Sequence, residues 1–339
     1  MSANGTASTS EAKHGDWAEL TRRCFDNLEA DVDRFARRHL GNIGPEAARV
    51  LAEALGGAFT GVSTARVPSE PSPQMRTVTL LQDGHERFQQ EKVKRDLTKM
   101  PRRGSLEVAT IIEGVVELGG APTEGFLNLL NAANPRYTGW PLWIDGRGFK
   151  DHGDDPAPYT FQGGWEDFLF SYEPESWYNH LDFWRAEPAG RFYLYRGFED
   201  DITEGERHPE AMTTLDFGMA IWRVAEAIAV PIAFAKAMGL TAENTALHYA
   251  FRWSGLRGRH LSSWTNPRKS ISSRYECRRQ DIVDSPVIAI PLDTPNSALG
   301  SFVRTATADL FAAFGGFDPG LGVTEKLTDD LLARGRVMR

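Results

Sequence analysis

The chain has 339 residues, 41% of them hydrophobic and 25% charged, with a formal net charge of −8. That is the profile of an ordinary globular protein, long enough for one large domain or two ordinary ones with a real hydrophobic core. Its two cysteines, Cys24 and Cys277, lie far apart and define neither a disulfide framework nor a thiolate metal site, which fits a reducing cytoplasm.

The first residues, MSANGTASTSEAKHGD, lack a charged start followed by an apolar run. They are expected to be a disordered polar tail over 1–15, not a secretory signal. Residues 16–41 place Trp17, Leu20, Cys24, Leu28, Val32, Phe35 and Leu40 at three- and four-residue spacings. That predicts an amphipathic helix between a cap at Asp16 and a stop at Gly41. A second helix is expected from Pro45 to Gly56-Gly57. VPSEPSPQ (67–74) reads as a linker or turn, MRTVTLLQDG (75–84) as a strand, and the following residues to Gly104 as a polar segment of mixed charge.

SLEVATIIEGVVELGG (105–120) has a helical spacing with Ser105 as its cap, and TEGFLNLLNAANP (123–135) predicts another helix. Gly119 to Pro122 would join them in a helical hairpin. The second helix carries Glu124, Asn128 and Asn131 and neither Lys nor Arg, which suits a DNA backbone poorly. Residues 137–198 hold 18 of the 36 aromatics, among them Trp140, Trp143, Trp165, Trp177 and Trp184. Frequent turn signals make this a strand-and-turn region. Its rings either fill a core short of aliphatics or offer a stacking platform for a flat ligand. GRFYLYRGF (190–198) alternates as a strand, and the acidic EDDITEGERHPE (199–210) reads as a solvated loop.

A long helix is expected from 215 to 239, with Phe217, Ile221, Val224 and Ile228 buried. Arg223, Glu226 and Pro231 interrupt its apolar run, so it reads as a core helix and not a membrane span. Next comes ALHYAFRWSGLRGRHLSSWTNPRK (246–269), expected to be a hairpin. Leu247, Tyr249, Phe251 and Trp253 share one strand face, and His248, Ala250 and Arg252 share the other. SPVIAIPL (285–292) is a further strand, 296–316 a final long helix, and TEKLTDDLLARG (324–335) a frayed helical tail. The fold class is therefore α+β with a mainly antiparallel sheet: a helical N-terminal element with one strand over 16–100, then a large mixed domain over 101–339.

Neither phosphate-cradling glycine motif is present, nor the serine elbow of many esterases, so no cofactor is predicted. The metal candidates are His152, Asp154 and Asp155, and His180 with Asp182. A His-x-Asp pair faces one way on a strand, but as a loop or cap it ligates nothing, and the chain is expected to purify without a stoichiometric metal. The basic stretch has the stronger claim. From Arg252 to Arg279 eight Lys or Arg stand against one acid, Glu276. Arg252, Arg257, Arg259, Arg268 and Lys269 are interleaved with Trp253, His260 and Trp264, a mixture suited to a phosphate-and-base ligand. The competing reading is an internal ion-pair network with acids such as those of FEDDITEGE. On the binding reading, Arg257 and Arg259 reach solvent from a glycine-flanked loop, while Arg252 is half-buried.

That stretch, together with LDFGMAIWRVAEAI, HLDFWRAEPAGRFYLYRGFEDD and PRYTGWPLW, resembles the C-terminal region of bacterial proteins that carry a Schlafen-type AlbA domain at their front, a domain also described as ATP-binding or helix-turn-helix. The resemblance spans roughly residues 105–315 and rests on aromatic motifs, not on a catalytic signature. In that family the front domain is the part linked to nucleic acid, and no counterpart is expected here. The resemblance implies a cytoplasmic bacterial protein of regulation or defence. The sequence is thus expected to encode a non-catalytic regulatory or accessory module that binds nucleic acid, another polyanion or a nucleotide-like ligand, with a protein partner and no membrane. The rivals are an enzyme with a dispersed site in 137–198, using His180 and Asp182, and an interaction subunit with no ligand of its own.

Overall fold

Ser105–Ile112 is buried along its whole length, as expected of a strand covered on both faces. This strand, β1, is central to an antiparallel sheet. The structure, a computed structural model, describes residues 71–114, 120–148, 158–171, 179–202, 208–266, 271 and 275–337. Pro71–Arg339 forms one compact unit. The other strands are β2 (Tyr159–Phe161), β3 (Gly164–Ser171), β4 (His180–Glu187), β5 (Arg191–Gly197), β6 (Thr214–Asp216), β7 (Ala246–Ser254), β8 (His260–Ser262), β9 (Ile282–Asp284) and β10 (Ile288–Pro291). The helices are α1 (Pro73–Lys94), α2 (Glu124–Ala132), the short α3 (Glu199–Ile202), α4 (Phe217–Ala237), α5 (Leu299–Ala313) and α6 (Leu321–Val337). The fold is α+β.

The main sheet runs β10–β7–β1–β5–β4–β3–β2, and β9 also pairs with β7. All of these pairings are antiparallel. One face carries Ala109, Phe183, Tyr193, Tyr195 and Ala250 under α1. The other carries Val108, Trp184, Leu194, Tyr249, Phe251 and Trp253 against α4 and α5. The alternation along β7 is the one its sequence dictates.

Helix α1 replaces the strand expected at 75–84. Thr77, Val78 and Thr79 favour a strand locally, but Pro73 occupies the first turn and the Ser72 hydroxyl accepts the Met75 amide, a strong start signal. Its buried residues, Thr77, Leu80, Leu81, Gly84 and Phe88, form a helical stripe that completes only against the sheet. At Gly84 an added Cβ would come 2.2 Å from the Tyr193 ring, so the helix backbone lies directly on that ring.

β1 replaces the first helix of the expected hairpin at 105–120. Val108, Ile111 and Ile112 have helical spacing, but a strand buried on both sides shows no alternation to betray it. α2, β5, α4, β10 and α5 form where the sequence predicts them. α6 is longer than the expected tail and buries Leu327, Leu331 and Leu332. α4 is long and apolar enough to cross a membrane, yet 72% of its apolar window is buried inside the protein. The two expected helices of 16–41 and 45–57, with Cys24, lie outside the described residues.

The hairpin expected at 246–269 does not close. β7 pairs with β1, β9 and β10, whereas β8 pairs in parallel with β6. The acidic loop expected at 199–210 is also corrected where it is described: Asp200 and Asp201 are buried at 3% and 5% exposure in α3. Their partners come from segments distant in sequence.

Candidate functional site

β1 begins where β5 and β7 end, because Ser105 pairs with both Gly197 and Ser254. Four segments meet at that end of the sheet: 100–104, 198–202, 255–259 and 276–281. Gly255 has φ +75, and an added Cβ there would come 2.9 Å from Gly104 Cα. Glycine is needed for both the backbone angle and the approach. The Leu256 amide donates to Asp281 O (3.1 Å), Gly258 to Cys277 O (2.8 Å) and Cys277 to Arg259 O (2.8 Å). These bonds tie 255–259 to 276–281 and leave Arg257, Arg278 and Arg279 exposed on adjoining turns. Arg102 pairs with Asp281, while the other Asp281 oxygen accepts from the Arg257 amide at 3.4 Å. Four exposed arginines are thus gathered around two acids, since Glu276 pairs with Arg278 at 3.3 Å.

The residues expected to bind an anion divide. Arg257 reaches solvent. Arg259 does not: it is fully buried, correcting its expected place on the loop surface. Its guanidinium donates to Gly255 O (2.6 Å), Thr214 O (2.6 Å) and Asp201 Oδ1 (2.9 Å), with a second bond to Asp201 Oδ2. Asp201 also accepts from the Gly104 and Met212 amides. With every oxygen so engaged, the pair fastens three segments together. Arg252, half-buried, forks onto Asp284 at 2.7 and 3.0 Å. Trp253 is 1% exposed and faces the core, so it offers no stacking surface. His260 bridges to Glu276 through the backbone. Trp264 is half-buried and donates its indole N–H to Asp200 Oδ1 at 2.9 Å. Arg268 and Lys269 lie outside the described residues.

Beneath this surface lie carboxylates that the sequence reading missed. Burial pushes Asp200 up to about 7, against the pull of the Trp264 indole. Asp216 is raised by burial too, despite the hydrogen bonds it accepts from Met219, Thr265 and Gly218. Asp216 also caps α4, and an Asp directly before a long apolar helix was the one available signal for it.

A chain of buried charge continues across the sheet. Asp182 pairs with Arg196; Arg196 and Arg223 both face Glu226, at 3.7 and 2.7 Å, and Arg223 also holds Glu199. Arg196, Glu199, Asp200 and Arg223 line one cleft over Leu106, Leu215 and Trp253. Nearby, Arg103, Ser171 and His180 line a second with Met100, Phe170 and Leu181. His180 Nδ1 lies 3.5 Å from Asp182 Oδ2. Burial would raise Asp182, but Arg196 and His180 outweigh it and hold the carboxyl at about 2. Its strongest partner is the Arg196 guanidinium. The other metal candidates, His152, Asp154 and Asp155, lie outside the described residues. The aromatic rings of 137–198 that are described divide in the same way as the arginines: Trp143, Phe168, Phe183, Trp184, Phe192 and Tyr193 are core, and Trp140 stands edge-on to His180 at 5.0 Å. No protein-family model, curated protein or solved structure matches this chain.

Proposed function

We propose that the protein is an anion-recognition module whose arginine surface, Arg102, Arg257, Arg278 and Arg279, grips the phosphates of a nucleic acid or similar polyanion. One observation supports this best: two loops distant in sequence are hydrogen-bonded to each other so that their arginines emerge together, over a buried Arg259–Asp201 anchor. Arginine forks suit phosphate oxygens, and a rigid base spares the ligand part of the ordering cost. The net charge of −8 makes the attraction local to this surface. Set beside the family resemblance, the reading places the module in a nucleic-acid-linked system of bacterial regulation or defence.

The test is a titration of a labelled DNA duplex, a single strand and inorganic polyphosphate at about 50 and 200 mM salt. Binding should fall with salt, because phosphate contacts release counterions. The triple variant R257A/R278A/R279A should bind more weakly and lose about one unit of salt slope per phosphate contact removed. A folded wild type that binds none of the three at low salt would overturn the reading. So would a triple variant that binds as tightly as the wild type.

A further inference from the structure

We infer that Asp281 and Glu276 are built-in competitors of the ligand, holding Arg102 and Arg278 at rest so that the surface takes a chain of linked phosphates in preference to a single anion. This rests on the reading of that surface as a phosphate grip and adds how the grip selects. Its four arginines stand in two states. Arg102 pairs with Asp281 and Arg278 with Glu276, whereas among the described residues no ion pair involves Arg257 or Arg279. The Arg102 and Arg278 side chains are 62% and 79% exposed, so they can change partners without disturbing the core. The acids are more firmly placed, each 30% exposed. Asp281 O accepts the Leu256 amide at 3.1 Å, and the Asp281 carboxylate also accepts the Arg257 amide at 3.4 Å. Glu276 is bridged to His260 through the backbone. The carboxylates stay where they are; the guanidiniums can leave them.

Carboxylate and phosphate oxygens offer a guanidinium fork similar acceptors. A single anion that draws Arg102 off Asp281 exchanges like for like and leaves the Asp281 charge unpaired beside it. It gains little beyond what Arg257 and Arg279 provide. A chain already seated on those two presents its next phosphates at high local concentration, so exchange at Arg102 and Arg278 becomes an intramolecular step. All four arginines then face phosphate. Selectivity comes from occupying half of the surface with the protein's own carboxylates, which an anion opens only by bringing several charges at once.

The experiment titrates the full chain with inorganic polyphosphate and with orthophosphate at about 50 mM salt. Polyphosphate should bind about 100-fold more tightly per phosphate. D281N should bind polyphosphate about two- to fivefold more tightly than wild type, the effect of releasing one exposed ion pair. Most of that gain should vanish on an R102A background, where Asp281 has no guanidinium to hold. E276Q should tighten binding in the same direction, and its gain should need Arg278; it decides the matter if D281N does not fold. A folded D281N that binds no more tightly than wild type, or that gains as much without Arg102, would overturn the inference and leave polyanion binding standing. Orthophosphate bound as tightly per phosphate as the chain would do the same. If neither wild type nor D281N binds polyphosphate, the phosphate reading falls and this inference with it.

Discussion

The two faces of the sheet are both covered by helix, but they are held in different ways. On the α4 side, Ile221, Val224, Ile228 and Phe234 are fully buried against the sheet and its neighbouring helices. Each such side chain contributes roughly 1.5–3 kcal/mol by leaving water. On the α1 side the apolar contact is narrower, centred on Phe88 between Phe168 and Tyr195, and polar clasps flank it. Glu107, fully buried, accepts from Tyr193 OH at 2.7 Å and from His85 Nδ1 at 3.1 Å. Glu166, also buried, holds Arg87 and Arg185. Area dominates on the α4 side, where the buried Arg196–Glu226–Arg223 charges add to a broad apolar contact. On the α1 side the contact is narrow and rests on a titratable clasp, so its attachment responds to pH and to single atoms.

Ile228→Asp should break the α4 side outright. An unpaired charge at a fully buried position costs several kcal/mol, whether ionised or forced neutral. Circular dichroism should show loss of cooperative melting; a soluble variant melting like the wild type would place that face of α4 at the surface.

At the sheet end, Arg259→Ala should cost about 3–5 kcal/mol, because Asp201 is left buried without its partner. Arg257→Ala, two residues away, should stay within about 0.5 kcal/mol. Urea denaturation of the pair measures the contrast. Equal small losses would mean that Arg259 does not fasten these segments.

Gly84→Ala sharpens the α1 side. The new methyl meets the Tyr193 ring, and overpacking of this kind costs about 1–3 kcal/mol. Mid-helix, Ala would otherwise stabilise, so the sign of the change reports whether α1 stays pressed to the ring. Thermal melting decides it.

The smallest effect is the most diagnostic. The hydrogen bond to Glu107 raises the His85 pKa above its ordinary value, outweighing burial and the nearby Arg252. Glu86 on α1 adds to the rise, Gln89 Nε2 stands 3.5 Å from His85 Nε2, and Gln82 accepts from Arg252. The docked state therefore binds the proton more tightly than the unfolded chain. The stability from the clasp is complete below about 6.5 and is lost as pH rises through the raised value. Wild type should exceed His85→Gln by on the order of 1 kcal/mol at pH 5.5 and by much less at pH 9. A difference independent of pH would remove protonated His85 from the clasp.

The sequence by itself determined the elements whose apolar pattern is one-sided or very long: α2, α5, β5, the long buried α4, and the alternation of β7, though not that the Trp253 ring is closed off in the core. It determined the class, α+β. It could not separate helix from strand at 75–84 and 105–112, since a strand buried on both faces and a helix with β-branched residues show the same short-range spacing. Only the tertiary structure made β1 central and turned α1 into its cover. The site divides in the same way. That 252–279 is basic is plain from the sequence, and so is the His180–Asp182 spacing. Which arginine is buried depends on Asp201, 58 positions from Arg259, and that Arg102 joins Arg257 depends on Asp281. Charges are paired through space, and a linear pattern records which charges exist but not which of them meet.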